Sequence, residues 1–228
     1  MFHLWGKTMS PEDKQFAIVG LGRFGMSLCK ELSAQGAQVL AVDLNEACVK
    51  KAADIATQAV VADCSNDETV AELKLDDYDI VMVSIGEDVN ASILTTLVLK
   101  EAGVKAVWVK AKDDHHAKIL SKIGADRIIR PERDMGMRIA RNMLDKRIFE
   151  FSDLGSGICL AEVVVSRKNM GKQLCEHPCC RRQELQLLAL KRGPEVRKNP
   201  ESGTQLQIGD ILIVTGPQAI LTETLRHL

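Results

Sequence analysis

Gly20, Gly22 and Gly25 stand in a G-x-G-x-x-G spacing at the end of the apolar run AIV. Where a strand leads straight into a helix, each of the three has its own task. The first allows a tight turn, the second lets a pyrophosphate approach the backbone, and the third lets the helix pack closely on the strand. Free N–H groups and the dipole at the helix start then favour a phosphate. Asp43 closes the run VLAVD about 20 residues further on, where a carboxylate accepts hydrogen bonds from ribose hydroxyls and repels a 2′-phosphate. The expected ligand is an adenosine-containing nucleotide with an intact ribose diol. Arg23, inside the loop, exceeds what a pyrophosphate between two nucleosides requires. A guanidinium is most useful on additional or terminal phosphates, which leans toward ATP or ADP beside NAD; its other reading is an outward-facing surface arginine.

Nicotinamide-dependent oxidoreductases share this motif, and they need a proton-transfer group beside the nicotinamide. Between Phe16 and Ile129 the histidines are His115 and His116, adjacent in KDDHHAK, which resembles a helix start on the surface. A nucleotide site without visible chemistry points to a sensor, and an NAD-dependent oxidoreductase is the alternative. A nucleotide-responsive transcriptional regulator would need a DNA-binding module, and the lead-in before Phe16 is too short for one. CEHPCC gathers Cys175, His177, Cys179 and Cys180, with Cys159 elsewhere in the same half. Thiolates and imidazole suit zinc, but the spacing is not a usual pair and no second half follows. The other reading is reduced thiols on a loop, made redox-sensitive by Arg181 and Arg182. Those arginines with Lys191 and Arg192 read either as a solvated basic surface or as a small anionic-ligand site.

The elements that must position the glycine loop follow it in strict alternation. Short Val- and Ile-rich runs (FAIVG, QVLAVD, AVVAD, DIVMVSIG, AVWVK, RIIRP) are separated by amphipathic segments at 26–35, 46–53, 67–73, 89–101 and 114–123. Asn45, Asn66 and Asp113 stand at N-cap positions, and Gly36, Gly103 and Gly124 fall where helices end. The runs lack polar alternation, as strands covered on both faces should, and parallel neighbours need crossover helices. The fold class is therefore α/β, a Rossmann-like, doubly wound parallel sheet over 16–131, preceded by a lead-in at 1–15.

After Pro131 the pattern changes. Met135, Ile139, Met143 and Leu144 repeat at helical spacing, predicting a helix over 132–147 that leaves the sheet and packs elsewhere, or else a last core helix. DLGSG (153–157) reads as a linker, closing a crossover segment at 132–152. Beyond it, ICLAEVVV, LQLLALKR and DILIVTG read as strands, 193–203 as a turn-rich loop and 218–228 as a helical tail. This is a small α+β domain over 153–228, needing its neighbour or a copy of itself for stability.

Composition narrows the class. The net charge of -1 gives no global case for nucleic acid or anionic lipid, and 4% aromatic residues argue against a base-stacking surface. No apolar run approaches the roughly 18 residues of a membrane span, so direct membrane insertion is not expected. MFHLWGKTMSPEDKQ lacks the parts of a secretory signal, and seven unevenly scattered cysteines suit reduced thiols. The expectation is a cytoplasmic chain.

VGLGRFG, LAVDLNE, VSIGEDVNASILTTLVLKE, WVKAKDDHHAKILSKIGADRIIRPERDMG and LQIGDILIVTG together resemble the cytosolic regulatory subunits of Ktr/Trk potassium uptake systems. The likeness covers roughly Phe16 to Leu228, is dense in the first half and rests mainly on GDILIVTG in the second. It implies an N-terminal RCK domain and a smaller C-terminal RCK domain, without enzymatic activity. It implies homodimers formed through the helix after the sheet, assembled as an octameric ring beneath a membrane potassium translocator and peripheral to the inner face of the membrane. ATP or ADP, or in some members NAD(H), would bind in the glycine-loop cleft and set the ring's shape. By the same resemblance Gly20, Gly22 and Gly25 line the phosphates, with Phe24 beside them, and Asp43 holds the ribose. Arg23 reaches the terminal phosphate, often across the dimer interface. Asp63 contacts the adenosine end, Ile85 and Gly86 line the cleft, and Lys110 lies near the nucleotide. Glu132 helps hold a divalent or monovalent cation beside the phosphates. In some relatives the second domain binds the cyclic dinucleotide c-di-AMP.

Overall fold

The computed structural model describes residues 13–144 and 148–226. The greater part of the expected lead-in (1–12), the end of the expected helix over 132–147 (145–147) and the last two residues of the tail lie outside them. Two compact units divide the chain, one ending at Pro131 and the other beginning at Glu132.

The first unit is built on β1 (Gln15–Val19), β2 (Gln38–Asp43), β3 (Gln58–Val61), β4 (Ile80–Val83), β5 (Val107–Lys110) and β6 (Arg127–Ile129). All pair in parallel, in the order β3-β2-β1-β4-β5-β6. Between them run α1 (Arg23–Ala34), α2 (Glu46–Ala53), α3 (Asp67–Glu72), α4 (Val89–Glu101) and α5 (Asp114–Lys122). Successive strand residues serve opposite faces. Ile18, Val39 and Ala41 pack with Cys29 of α1 and with Val49 and Ala52 of α2. Ala17, Val19, Leu40 and Val42 pack on the other side with Val70 of α3, Leu99 of α4 and Leu120 of α5. Burial on both faces is why these strands are continuous apolar runs. The expected doubly wound sheet is the one observed.

α6 (Pro131–Leu144) follows the sheet. Its methionine and isoleucine stripe faces outward: Met135 and Ile139 are each 50% exposed and Met143 is 76% exposed. It is therefore not a last core helix.

The second unit differs in detail from its expectation. Two further strands join the three expected ones, giving β7 (Ile148–Gly155), β8 (Ile158–Val164), β9 (Gln186–Arg192), β10 (Glu195–Lys198) and β11 (Ile211–Pro217). They form an antiparallel sheet in the order β10-β9-β11-β8-β7. DLGSG is no linker but the tight turn of the β7–β8 hairpin. Gly155 pairs with Ile158, and Ser156 and Gly157 take φ of 54° and 76°, the left-handed values that match strand twist. The loop expected at 193–203 likewise contains the β9–β10 hairpin. One face of this sheet is covered by α7 (Pro178–Arg181) and α8 (Gln218–Arg226), with Cys159, Leu190, Leu212 and Leu221 in the core. Asp210 anchors the edge of that core. It is 1% exposed, accepts bonds from Arg192 Nε and Nη2 (both 2.8 Å) and accepts one from the Gln207 N–H. Burial alone would raise its carboxyl, but those donors hold it below the ordinary value.

His177 is fully buried and accepts a bond at Nδ1 from the Cys179 N–H, capping α7. Burial, helped by the Lys172 charge, pushes the ring down to about 4. As pH falls below the ordinary histidine value the unfolded chain takes up a proton that the folded ring refuses, so stability declines toward pH 4. The loss there is roughly 3 kcal/mol. Chemical denaturation at about pH 7 and about pH 4.5 tests this, with His177→Asn keeping an acceptor for the Cys179 N–H. The parent should lose about 2 kcal/mol more than the variant over that range. Equal losses in the two proteins would show that His177 carries no such term.

Candidate functional site

β1 lies between β2 and β4, so the chain leaves the sheet on opposite sides at the carboxyl ends of β1 and β4. Crevices open at such switch points. A cavity of about 340 Å³ occupies this one, lined by residues from the ends of β1 to β4 and from the start of α4. The ladders continue past the strands to frame it: Gly20 N–H donates to Val42 O (2.8 Å) and Ser84 N–H to Val19 O (2.7 Å).

Gly20 turns at φ +95°, and a Cβ there would stand 3.0 Å from the Ile85 nitrogen. At Gly25 a Cβ would lie 2.0 Å from the Gly20 oxygen, so α1 rests directly on the turn that precedes it. Gly22 is the opposite case. Apart from its own chain neighbours, no atom lies within 4 Å of where its Cβ would be, so the backbone there faces open space. Asp43 locks the assembly from β2, its Oδ2 accepting from the Leu21 N–H at 2.5 Å and its Oδ1 from the Asn45 N–H at 2.8 Å. The carboxylate expected only to meet a ribose thus also clamps the glycine loop.

The start of α1 stands apart from its neighbours. α2, α3, α4 and α5 are each capped by a side chain: Asn45, Asn66, Asp88 and Asp113. α1 begins after Gly22 with no side-chain cap and no acidic residue in its first turn. Its first N–H groups have no intrahelical acceptor, and a good cap at such a site contributes about 1 kcal/mol.

Among the expected residues, Gly20, Gly22, Asp43, Asp63, Ile85 and Gly86 line the cavity. Gly25 lies behind the loop. Arg23 and Phe24 open α1, Arg23 exposed and Phe24 half-buried. Lys110 ends β5 and reaches toward Gly86 and Phe24, its Nζ 3.3 Å from the Cβ position of Gly86 and 6.0 Å from the Phe24 ring centroid. Asp63 accepts from the Ser65 Oγ (2.7 Å) and N–H (3.0 Å), and these bonds hold its carboxyl low. Glu132 stands exposed in the first turn of α6, in the second unit, and is not among the lining residues. Among the lining residues that sequence reasoning missed are Leu44, Cys64, Ser84, Glu87, Asp88 and Thr95. All but Thr95 lie within five residues of a strand end, so the switch-point rule could have found them. Thr95 sits on α4, where its position pointed only to packing. The Cys64 thiol, buried and beside the Asp63 charge, is pushed up to about 12 and stays protonated.

Other sequence candidates resolve differently. His116 is buried, not a surface residue, and accepts from the Lys112 N–H at Nδ1 (3.2 Å); burial lowers its pKa. It does not line the cavity, nor does His177. Among the described residues no cluster of three or more His, Cys, Asp or Glu could hold a metal ion, so the zinc reading of CEHPCC falls. Cys179 and Cys180 sit in α7 rather than a loop, and burial pushes them up to about 12 and about 11, opposite to a redox-sensitive thiolate. Two of the four basic residues considered for an anion are already engaged, Arg182 with Glu223 (3.1 Å) and Arg192 with Asp210.

The TrkA-N domain family matches residues 16–131. Over 220 residues the chain is 59% identical to Ktr system potassium uptake protein A of Vibrio alginolyticus, covering 96% of this chain and 100% of that protein. The chain belongs to the RCK-domain regulatory subunits of the Ktr/Trk potassium uptake family. Ktr system potassium uptake protein C of Bacillus subtilis (strain 168) is a further relative, 43% identical over 203 residues that span 89% of this chain and 92% of that one. Among solved structures, the GsuK channel bound to NAD aligns with 96% of this RCK subunit at a TM-score of 0.51 and 19% identity, a likeness of fold. The subunit spans 39% of that longer chain. No helix among the described residues is long and apolar enough to cross a membrane.

The two glycines make a paired test of the loop. Alanine gains about 1 kcal/mol over glycine in a helix, whereas overpacking costs about 1–3 kcal/mol or more. With backbone only 2.0 Å from the new atom, overpacking wins at Gly25. Gly25→Ala should lower the unfolding free energy by about 2 kcal/mol, and Gly22→Ala by less than about 0.5 kcal/mol. A Gly25→Ala protein as stable as the parent would contradict the contact.

Proposed function

We propose that this subunit binds an adenine nucleotide in the glycine-loop cleft and, without breaking it, regulates a membrane potassium translocator through a change of conformation. One observation carries the reading: the uncapped start of α1, facing open space at Gly22 beside a ribose-ready carboxylate at Asp43. Backbone N–H groups and the helix dipole there complement phosphate. Arg23 and Lys110 add positive charge on the same side, and the acidic Asp63 lines the opposite end, suited to the amino edge of an adenine. ATP and ADP are the favoured ligands, with NAD or NADH sharing the cleft; the GsuK channel, solved bound to NAD, supports a nucleotide in this fold.

The partner follows from the family, whose members named above are proteins of potassium uptake systems. In this reading the subunit works on the cytoplasmic side of the membrane and touches it through the translocator. The exposed stripe of α6 supplies a dimer contact, and dimers build an octameric ring. Glu132, one residue into that helix, contributes to a divalent or monovalent cation beside the phosphates. A ligand can shift such an assembly only by binding one shape better than another, and couplings of about 1–3 kcal/mol per site are typical. The extra charge of ATP over ADP beside Arg23 supplies a difference of that kind.

A thermal-shift panel of ATP, ADP, NAD and NADH, with and without divalent cation, tests the site. At ligand about 100 times Kd the gain is about 2.7 kcal/mol, a clear rise in Tm. At least one adenylate should produce it, and Asp43→Ala should abolish it. A parent protein that ignores all four, or that consumes one catalytically, would overturn the reading. Calorimetry adds a finer test: Arg23→Ala should narrow the gap between ATP and ADP affinities more than it weakens ADP. Equal loss for both rules out a terminal-phosphate role. Ile139→Glu places a charge in the α6 stripe and should reduce the dimer fraction in light scattering; an unchanged mass would exclude that face.

A further inference from the structure

Leu44 follows β2 directly and lines the cavity, yet it is 65% exposed. A leucine exposed singly on a surface is ordinary; this one is set apart by its place. Other large apolar side chains of the first unit are exposed, Val61, Leu94 and Ile119 among them, but they lie outside the cavity lining. The chain on either side of Leu44 is pinned. Asp43 O accepts from the Ala62 N–H (3.2 Å) and Asp43 Oδ1 from the Asn45 N–H (2.8 Å). Asn45 Oδ1 in turn accepts from the Ala47 N–H (2.9 Å), capping α2. The flanking backbone is held in place while the apolar side chain between these anchors finds little cover in the fold.

We propose that Leu44 is a further ligand-binding residue of the cleft: its side chain packs against the face of the nucleotide's base. The inference rests on the reading of the cleft as a nucleotide site and deepens it. Asp43, one residue earlier, is the carboxylate assigned to the ribose in that reading, and the base hangs from the same sugar. Ala62 and Ala91, small and apolar, share the lining and leave room for a flat ring. Covering an exposed leucine with the face of a heterocycle takes apolar surface of both out of water. Because the neighbouring backbone is already fixed, that gain carries little ordering cost. The contact is indifferent to the number of phosphates, so Leu44 anchors the base while the loop and Arg23 read the charge.

Calorimetric titration of ADP and of adenosine into the parent, Leu44→Ala and Leu44→Met tests the assignment, with the Tm and the light-scattering mass of each unliganded protein recorded alongside. Leu44→Ala should weaken ADP and adenosine by the same factor, about five- to tenfold. Its unliganded Tm and mass should match the parent's, because an exposed side chain contributes little to the empty fold. Leu44→Met, which keeps the apolar volume, should bind both compounds within about twofold of the parent. If the parent binds ADP and Leu44→Ala binds it equally well, the role of Leu44 is wrong while the nucleotide site stands; a changed mass would then assign the leucine to a subunit contact. Weakening of ADP alone, or a parent that binds ADP but not adenosine, places the binding energy away from the base and likewise overturns the inference. A lowered Tm in the unliganded Leu44→Ala protein assigns Leu44 to the fold instead. A parent that binds neither compound defeats the nucleotide reading and this inference together.

Discussion

The first unit depends on how the start of α1 is held without being capped. Four neighbouring helices satisfy their N-terminal groups with an Asn or Asp side chain, whereas α1 leaves its own open. The usual cap is worth about 1 kcal/mol, and other contacts fix the turn in its place. Gly25 rests on the Gly20 carbonyl, and Asp43 draws the Leu21 N–H onto β2. The turn is thereby fixed without any side chain capping the start of α1. Preorganisation of this kind lowers the ordering that a ligand must impose on binding.

That arrangement explains why Asp43 matters twice. Its two oxygens are already used by backbone donors, one on each side of the β2 end. A carboxylate has about four acceptor positions, so capacity remains for ribose hydroxyls in the proposed role. A change at Asp43 therefore disturbs the loop and, in the proposed role, the ligand together. Gly22 separates the two effects, since its surroundings are empty and the loop does not lean on it.

The first sheet was legible because its central strands are buried on both faces and four of its five crossover helices carry ordinary caps; Asn45, Asn66 and Asp113 cap the helices at which they were expected. The second unit was less so. β10 is exposed at every position, so no apolar alternation marked it, and DLGSG has the composition of a linker as much as of a hairpin turn. His116 shows the same limit at one residue: a polar pair at a helix start gives no sign of which ring turns inward. At the site, glycine spacing and Asp43 pointed to the loop, but Ser84 has no motif of its own. Its burial against Gly25 and its place in the lining exist only once β4 and α1 are side by side.

In the proposed function, phosphate binds at the uncapped start of α1. Amide hydrogen exchange of the full chain, followed over the segment 20–28 in the presence of ADP or of adenosine, tests it most directly. The account predicts that ADP slows exchange there and adenosine does not. Protection that is absent with ADP, or equal with the two compounds, would contradict it.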